Sequence, residues 1–146
     1  MSVRAVRRAE ADDVAAVTAL AATRPYAAKW PERELRHELD RLDSIFLVGE
    51  EDGKVLGYAL ARVVERDCRL LDLAAAFDGG GWGRALMAAL ALTAKARGCV
   101  KISFEASASN ERALAFYAKA GARVVGRRPK FYYDGSDAVL MDLDIP

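Results

Sequence analysis

The chain has 146 residues, 53% of them hydrophobic and 29% charged, and its 22 basic and 21 acidic side chains leave a formal net charge of +1. That length supports one domain able to bury about two thirds of its unfolded surface, and the even charge balance offers neither a nucleic-acid surface nor a like-charge tail. No apolar run approaches the about 18 residues needed to cross a membrane, and the opening Met1-Ser2-Val3-Arg4 holds no apolar signal core, so a soluble, cytoplasmic protein is expected.

A first strand is expected near Val3–Val6, with Arg7-Arg8 as a solvated edge, followed by a helix capped by Asp12 that turns Val14, Val17 and Leu20 inward. A second helix begins at Pro31 and carries Leu35, Leu39 and Leu42. The single histidine, His37, lies there between Arg36 and Glu38, so neither a zinc set nor a histidine triad can be assembled. Strands Ile45–Val48 and Val55–Val64 are joined through Glu50-Glu51-Asp52-Gly53, where Asp-Gly is a hairpin signal. The strand Cys68–Ala74 runs into Phe77-Asp78-Gly79-Gly80-Gly81-Trp82-Gly83-Arg84, and a helix follows from about Trp82 to Arg97 with Gly98 as its stop. The next strand, Cys99–Glu105, alternates Val100, Ile102 and Phe104 and delivers the carboxylate of Glu105 at its end. A helix then opens near Asn110 and stops at Gly121. Tyr117, two helical turns past Asn110, falls on the same face. Val124-Val125 and Ala138–Leu143 close the sheet through the Tyr132–Gly135 loop. The order β-α-α-β-β-β-α-β-α-β-β describes one α/β domain over residues 1–146, with a mixed, mostly antiparallel central sheet and helices on both faces. Cys68 and Cys99, each at a strand start, are expected as buried free thiols.

Two segments carry chemistry. Clustered glycines at 79–83 let the backbone turn tightly and bare its N–H groups, and the helix that starts there adds partial positive charge, so phosphate oxygens can sit on this loop. A Walker loop would place Lys-Ser/Thr after its last glycine, whereas Arg84-Ala85 stand here. A Rossmann fingerprint belongs on the first strand-turn of its fold, whereas this loop lies mid-chain. A flexible linker is disfavoured because helix formers begin directly after Gly83. The second segment offers Glu105 and Tyr117 as an acid–base pair flanking a strand, with the amide of Asn110 nearby. Singly, a strand-end Glu is ordinarily a solvated charge and a helical Tyr ordinary packing; beside a phosphate loop they point to proton transfer.

These segments resemble the GNAT superfamily of acetyl-coenzyme A-dependent N-acetyltransferases. Gly81-Trp82-Gly83 matches the second half of that family's R/Q-x-x-G-x-G/A pyrophosphate loop. Ser109-Asn110 through Tyr117 and Gly121 matches its Ser-Asn-(x)-Tyr-(x)-Gly-Phe segment, with Ala122 in place of the aromatic. The stretch from Phe131 to Met141 resembles Tyr-Tyr-x-Asp-Gly-x-Asp-Ala-x-x-Met. With Glu105 and Trp30-Pro31-Glu32, it is similar in particular to the bacterial ribosomal-protein N-terminal-alanine acetyltransferases.

The resemblance implies acetyl-coenzyme A as co-substrate and no metal. It implies Glu105 as the base, acting through a water, and Tyr117 as the acid that protonates the coenzyme sulfur. Burial of Glu105 would raise its pKa toward a useful range. Asn110 would hold the pantetheine arm, the backbone of Leu71, Asp72 and Leu73 would pair with it, and Gly79, Gly80, Gly81, Trp82, Gly83 and Arg84 would hold the pyrophosphate. Trp30, Tyr132 and Tyr133 are candidates for the acceptor groove. The expected acceptor is a protein N-terminal α-amine; a small-molecule amine, or an inactive coenzyme-binding module of the same fold, are the other readings. The expected state is a monomer or homodimer. Asp78 stands where the family carries Arg or Gln, which sets a carboxylate against an anionic ligand and predicts weak binding that improves as salt screens the repulsion.

Overall fold

Arg4–Arg8 (β1) pairs antiparallel with Ser44–Glu51 (β2), which pairs in turn with Lys54–Val64 (β3) and through it with Asp67–Ala75 (β4). The β2–β3 hairpin turns at Asp52 and Gly53, whose φ values of 52° and 83° are the left-handed pair that a tight two-residue turn requires. The computed structural model describes residues 2–146, and Met1 lies outside them. Lys101–Ser107 (β5) runs parallel to β4, and Ala138–Asp144 (β7) and Arg123–Arg128 (β6) complete a seven-stranded sheet of order β1-β2-β3-β4-β5-β7-β6. Among the described residues the β4–β5 pair is the one parallel pairing, as a helical crossover between the two strands demands.

The helices are Val14–Ala22 (α1), Glu32–Asp40 (α2), Trp82–Ala96 (α3) and Glu111–Lys119 (α4). Two cores result, one on each face of the sheet. Val14, Val17 and Leu20 of α1 and Leu35 of α2 pack on Phe46, Val48, Tyr58 and Leu60. Leu86, Leu90 and Ala94 of α3 and Tyr117 of α4 pack on the opposite face, against Leu47, Ala59, Ile102 and Phe104. Alternation along each strand feeds both cores, as expected for a sheet covered on two sides.

Local boundaries differ from the sequence expectation for identifiable reasons. Asp12 does not cap α1. A single 3-10 turn over Ala11–Asp13 precedes the helix, held by a capping box between Glu10 and Asp13, and Arg7 grips the Asp13 carboxylate at 2.8 and 2.9 Å. Leu42 is not part of the α2 stripe: the helix ends at Asp40, and Leu42 is 93% exposed. Strand β5 continues to Ser107, so Glu105 lies inside the strand rather than at its end.

Candidate active site

The chemistry is organised by a place where the sheet comes apart. β4 and β5 pair only at Asp67–Lys101, Cys68–Ile102 and Arg69–Ser103. Beyond that register, Leu70–Ala75 and Phe104–Ser107 face each other with no pairing among the described residues, while their outer edges stay bonded to β3 and β7. The inner edge of β4, which includes Leu71, Asp72 and Leu73, therefore presents backbone donors and acceptors to an open cleft. A backbone edge of this kind accepts an extended, amide-bearing ligand as an added strand.

A bulge sits on the same edge. Leu60 pairs with Asp72 and Ala61 with Leu70, which leaves Leu71 as the extra residue. Strict alternation would put Asp72 on the face of Cys68 and Leu70; the bulge turns it to the other face. There its carboxylate is 8% exposed, accepts the Tyr58 hydroxyl at 2.5 Å, and accepts the Trp30 indole N–H at 3.0 Å. Burial pushes the Asp72 carboxyl above its ordinary range against these hydrogen bonds, and burial beside Asp72 pushes the Tyr58 phenol up. Trp30 thus holds a β4 carboxylate through its indole N–H. Asp72 and Tyr58 are side chains that sequence reasoning missed. The available signal was a charged residue inside the run Leu70-Leu71-Asp72-Leu73.

The glycine loop lies where β4 gives way to α3. Gly79 and Gly81 have φ of 82° and 80°, a conformation that glycine adopts without steric cost. Gly81 is the N-cap of α3, and no side chain caps the helix, so its first N–H groups remain available to an anion. Trp82 is 2% exposed and anchors the helix start by packing on Gly49, where a Cβ would come within 2.5 Å of its ring. Arg4 crosses over that ring at 4.0 Å and donates to the Gly80 carbonyl at 2.7 Å. Arg84 is exposed in the first turn of α3. Asp78 does not face the cleft as a lone carboxylate: Arg24 reaches it at 2.8 Å and Arg112 at 3.2 Å.

Glu105 and Tyr117 flank β5 from its two faces. Ile102, Phe104 and Ala106 belong to the core under α3 and α4, and Glu105 alternates to the other side. Tyr117 packs on Phe104 with ring centroids 4.2 Å apart, and burial with the Asp72 charge pushes its phenol up to about 12. Glu105 is not buried as expected: its side chain is 33% exposed and pairs with Arg128 at 3.4 Å. Tyr132 is half-buried, and burial together with the Glu105 charge raises its pKa. Tyr133 stands fully in solvent. Asn110 is the N-cap of α4; its side-chain oxygen accepts the Ala113 N–H at 3.2 Å, leaving its amide N–H groups for a ligand.

A hydroxyl network that sequence reasoning did not find ties three loops around this mouth. Ser107 Oγ lies 2.7 Å from both Ser109 Oγ and Ser136 Oγ, Asp134 accepts from Ser136 at 2.6 Å, and the Tyr26 hydroxyl donates to the Ser109 carbonyl at 3.1 Å.

A model of the acetyltransferase (GNAT) family matches residues 15–122. A Bacillus subtilis protein that carries the provisional name ribosomal protein bS18-alanine N-acetyltransferase is 29% identical over 144 residues, spanning 96% of this chain and 93% of its own. The crystal structure of the ribosomal-protein-S18-alanine N-acetyltransferase from Escherichia coli superposes with a TM-score of 0.87 at 26% identity, covering 98% of this chain and 94% of that one. The PaiA N-acetyltransferase from Thermoplasma acidophilum, solved in complex with coenzyme A, shares the fold with a TM-score of 0.85 at 20% identity, covering 97% and 99%. The sheet that splays after one short parallel pairing, the glycine loop at the start of α3 and the matched span of residues agree: the chain belongs to the GNAT family of acetyl-coenzyme A-dependent acetyltransferases.

Proposed function

We propose that this enzyme acetylates a protein N-terminal α-amine, with an alanyl terminus of the ribosomal-protein type as the acceptor. The observation that carries the reading is the opposed placement of Glu105 and Tyr117 across β5, at the mouth of the β4–β5 cleft. Likeness along nearly the whole chain to the Bacillus subtilis and Escherichia coli proteins supports the choice of acceptor.

Acetyl-coenzyme A supplies the acetyl group as a thioester whose carbonyl carbon the amine attacks. The chain has two proton problems to solve around that event. An ammonium cannot attack, so Glu105 takes its proton, through a water, from the face that also carries Tyr132. The departing sulfur must not return as a thiolate, and Tyr117, which still holds its proton at neutral pH, donates it from the opposite face. The free inner edge of Leu71, Asp72 and Leu73 pairs with the pantetheine amides, and the amide N–H groups of Asn110 assist at the α4 end. Gly79, Gly80, Gly81, Trp82, Gly83 and Arg84 hold the pyrophosphate with N–H groups at the uncapped helix start. Trp30 and Tyr132 line the acceptor side, with Tyr133 at its outer rim.

An α-amine has a reference pKa of ~8 against ~10.4 for a lysine side chain, so its deprotonation at neutral pH costs about 3 kcal/mol less. The test is acetyl transfer to an alanyl N-terminal peptide, to the same peptide blocked at its terminus but bearing lysine, and to polyamines at matched concentration. The α-amine should react fastest. Faster transfer to lysine or to polyamines would replace this acceptor with a small or side-chain amine.

A further inference from the structure

We infer that Asp78 is a positioning residue for the coenzyme: its carboxylate draws Arg24 and Arg112 onto the glycine loop, where the two guanidiniums receive the phosphates. The inference rests on the reading that residues 79–84 hold the pyrophosphate. The three residues come from three separate parts of the chain. Asp78 directly precedes Gly79, Arg24 follows the end of α1, and Arg112 lies in the first turn of α4. The arginines divide the carboxylate between them, Arg24 Nη2 on Oδ1 at 2.8 Å and Arg112 Nη1 on Oδ2 at 3.2 Å. A guanidinium has five donors, so each keeps N–H groups for a second acceptor.

The scaffold around the triad is fixed. Lys29 donates to the carbonyls of Ala21 and Arg24 at 2.8 Å each, which pins the backbone that carries Arg24. Phe116 of α4 packs so closely on Gly83 that a Cβ there would meet its ring at 3.1 Å. This contact holds the second half of α4 against the start of α3, Arg112 in the first turn of α4 reaches the loop at Asp78, and the partial positive charge of the α3 start adds to that of the arginines. Two guanidiniums against one carboxylate leave the triad at net +1, where a lone Asp78 would give −1. Where the family's loop carries Arg or Gln at this position, this chain brings cations to it from the turn after α1 and from α4.

The side chains of Arg24, Asp78 and Arg112 are 30%, 42% and 73% exposed. Ion pairs this accessible add little to folding stability, so substitutions here read out binding rather than folding. The experiment titrates acetyl-coenzyme A calorimetrically into wild type, Arg24→Ala, Arg112→Ala, Asp78→Ala and Asp78→Glu at low and moderate salt. S-acetylpantetheine, which lacks the diphosphate and nucleotide, is used as a competitor in parallel. Each alanine variant should weaken acetyl-coenzyme A about tenfold, the size of a charge-assisted hydrogen bond, and leave S-acetylpantetheine unchanged. Asp78→Glu should recover most of the loss, and salt should weaken wild-type binding more steeply than that of any alanine variant. Equal or tighter binding by Asp78→Ala overturns the inference, as does an equal loss for S-acetylpantetheine. Wild type that binds acetyl-coenzyme A alongside two unaffected arginine variants overturns the inference alone. A wild type that binds no acetyl-coenzyme A overturns the assignment of the loop as well.

Discussion

Tyr117 is 9% exposed, and its ring lies against Phe104 and edge-on to Phe116, so it can move little without disturbing the core under α4. Burial first, and the Asp72 charge second, push its phenol up to about 12 from the ordinary 10.0. The phenol therefore keeps its proton throughout the neutral range and has it to give as the coenzyme sulfur departs. Tyr117→Phe removes only an oxygen; it should lower kcat about a hundredfold or more and leave the acetyl-coenzyme A dissociation constant unchanged. Wild-type turnover in that variant would remove Tyr117 from the proton pathway. The same residue has a stability signature. Its folded pKa exceeds its unfolded one, so below pH 10 it contributes no pH dependence. Between pH 10 and about 12 the unfolded chain loses this proton first and stability falls. Urea unfolding of Tyr117→Phe should therefore show a shallower loss of stability over that interval than wild type shows. Glu105 stands under the opposite conditions, a third exposed and paired with Arg128, where it meets solvent and where the proposed reaction would bring the amine.

At the scale of elements, the site depends on how α3 is seated. Trp82 opens the helix and fills the space that Gly49 of β2 leaves, and Gly81 before it adopts the left-handed turn that ends the loop. Gly49→Ala would push a methyl into the Trp82 ring and should cost about 1–3 kcal/mol of stability, the range for overpacking a well-filled core. Because Trp82 leads directly into the loop, acetyl-coenzyme A affinity should fall in parallel. Urea titration and calorimetry on one protein preparation check both, and a stable variant with normal affinity would separate the helix seat from the loop. The elements themselves were legible in the sequence. Periodicity in Val14, Val17 and Leu20, the Asp52-Gly53 turn, and the stops at Gly98 and Gly121 are local signals, and the structure follows them. Glu105, Tyr117 and the glycine loop could be put forward from sequence because each belongs to a contiguous motif. Asp72 was legible only as backbone: alternation puts it with Leu70, and a one-residue bulge at Leu71 leaves no mark in composition. The two arginines on Asp78 were equally invisible, since Arg24 and Arg112 are 54 and 34 positions away from it in the chain. Contacts of that span come from the packing of α1 and α4 around the loop, not from any spacing.

The whole molecule is a sheet with a different core and a different pair of helices on each face, opened at one point between β4 and β5. The elements proposed to hold the coenzyme start at the α3 and α4 side, and Glu105 alternates to the other face of β5. On the proposed assignment the two substrates need not take turns in one pocket; each would enter from its own side and meet the other in the cleft. A covalent relay would instead require a nucleophile at that meeting point. Cys68 is fully buried, with its thiol pushed up to about 12 by burial, and Cys99 is 4% exposed, its thiol also raised by burial. Neither provides a reactive thiolate at neutral pH. Cys68 also lies on the β4 segment that is closed against β5, before the strands part. Direct transfer within a ternary complex is the expected route. Initial rates measured over a grid of acetyl-coenzyme A and alanyl-peptide concentrations should give intersecting double-reciprocal lines. Intact-mass measurement of the protein incubated with acetyl-coenzyme A alone should show no acetylated species. Parallel lines, together with an adduct of one acetyl group that disappears when peptide is added, would establish a covalent intermediate and require a nucleophile on the walls of the cleft.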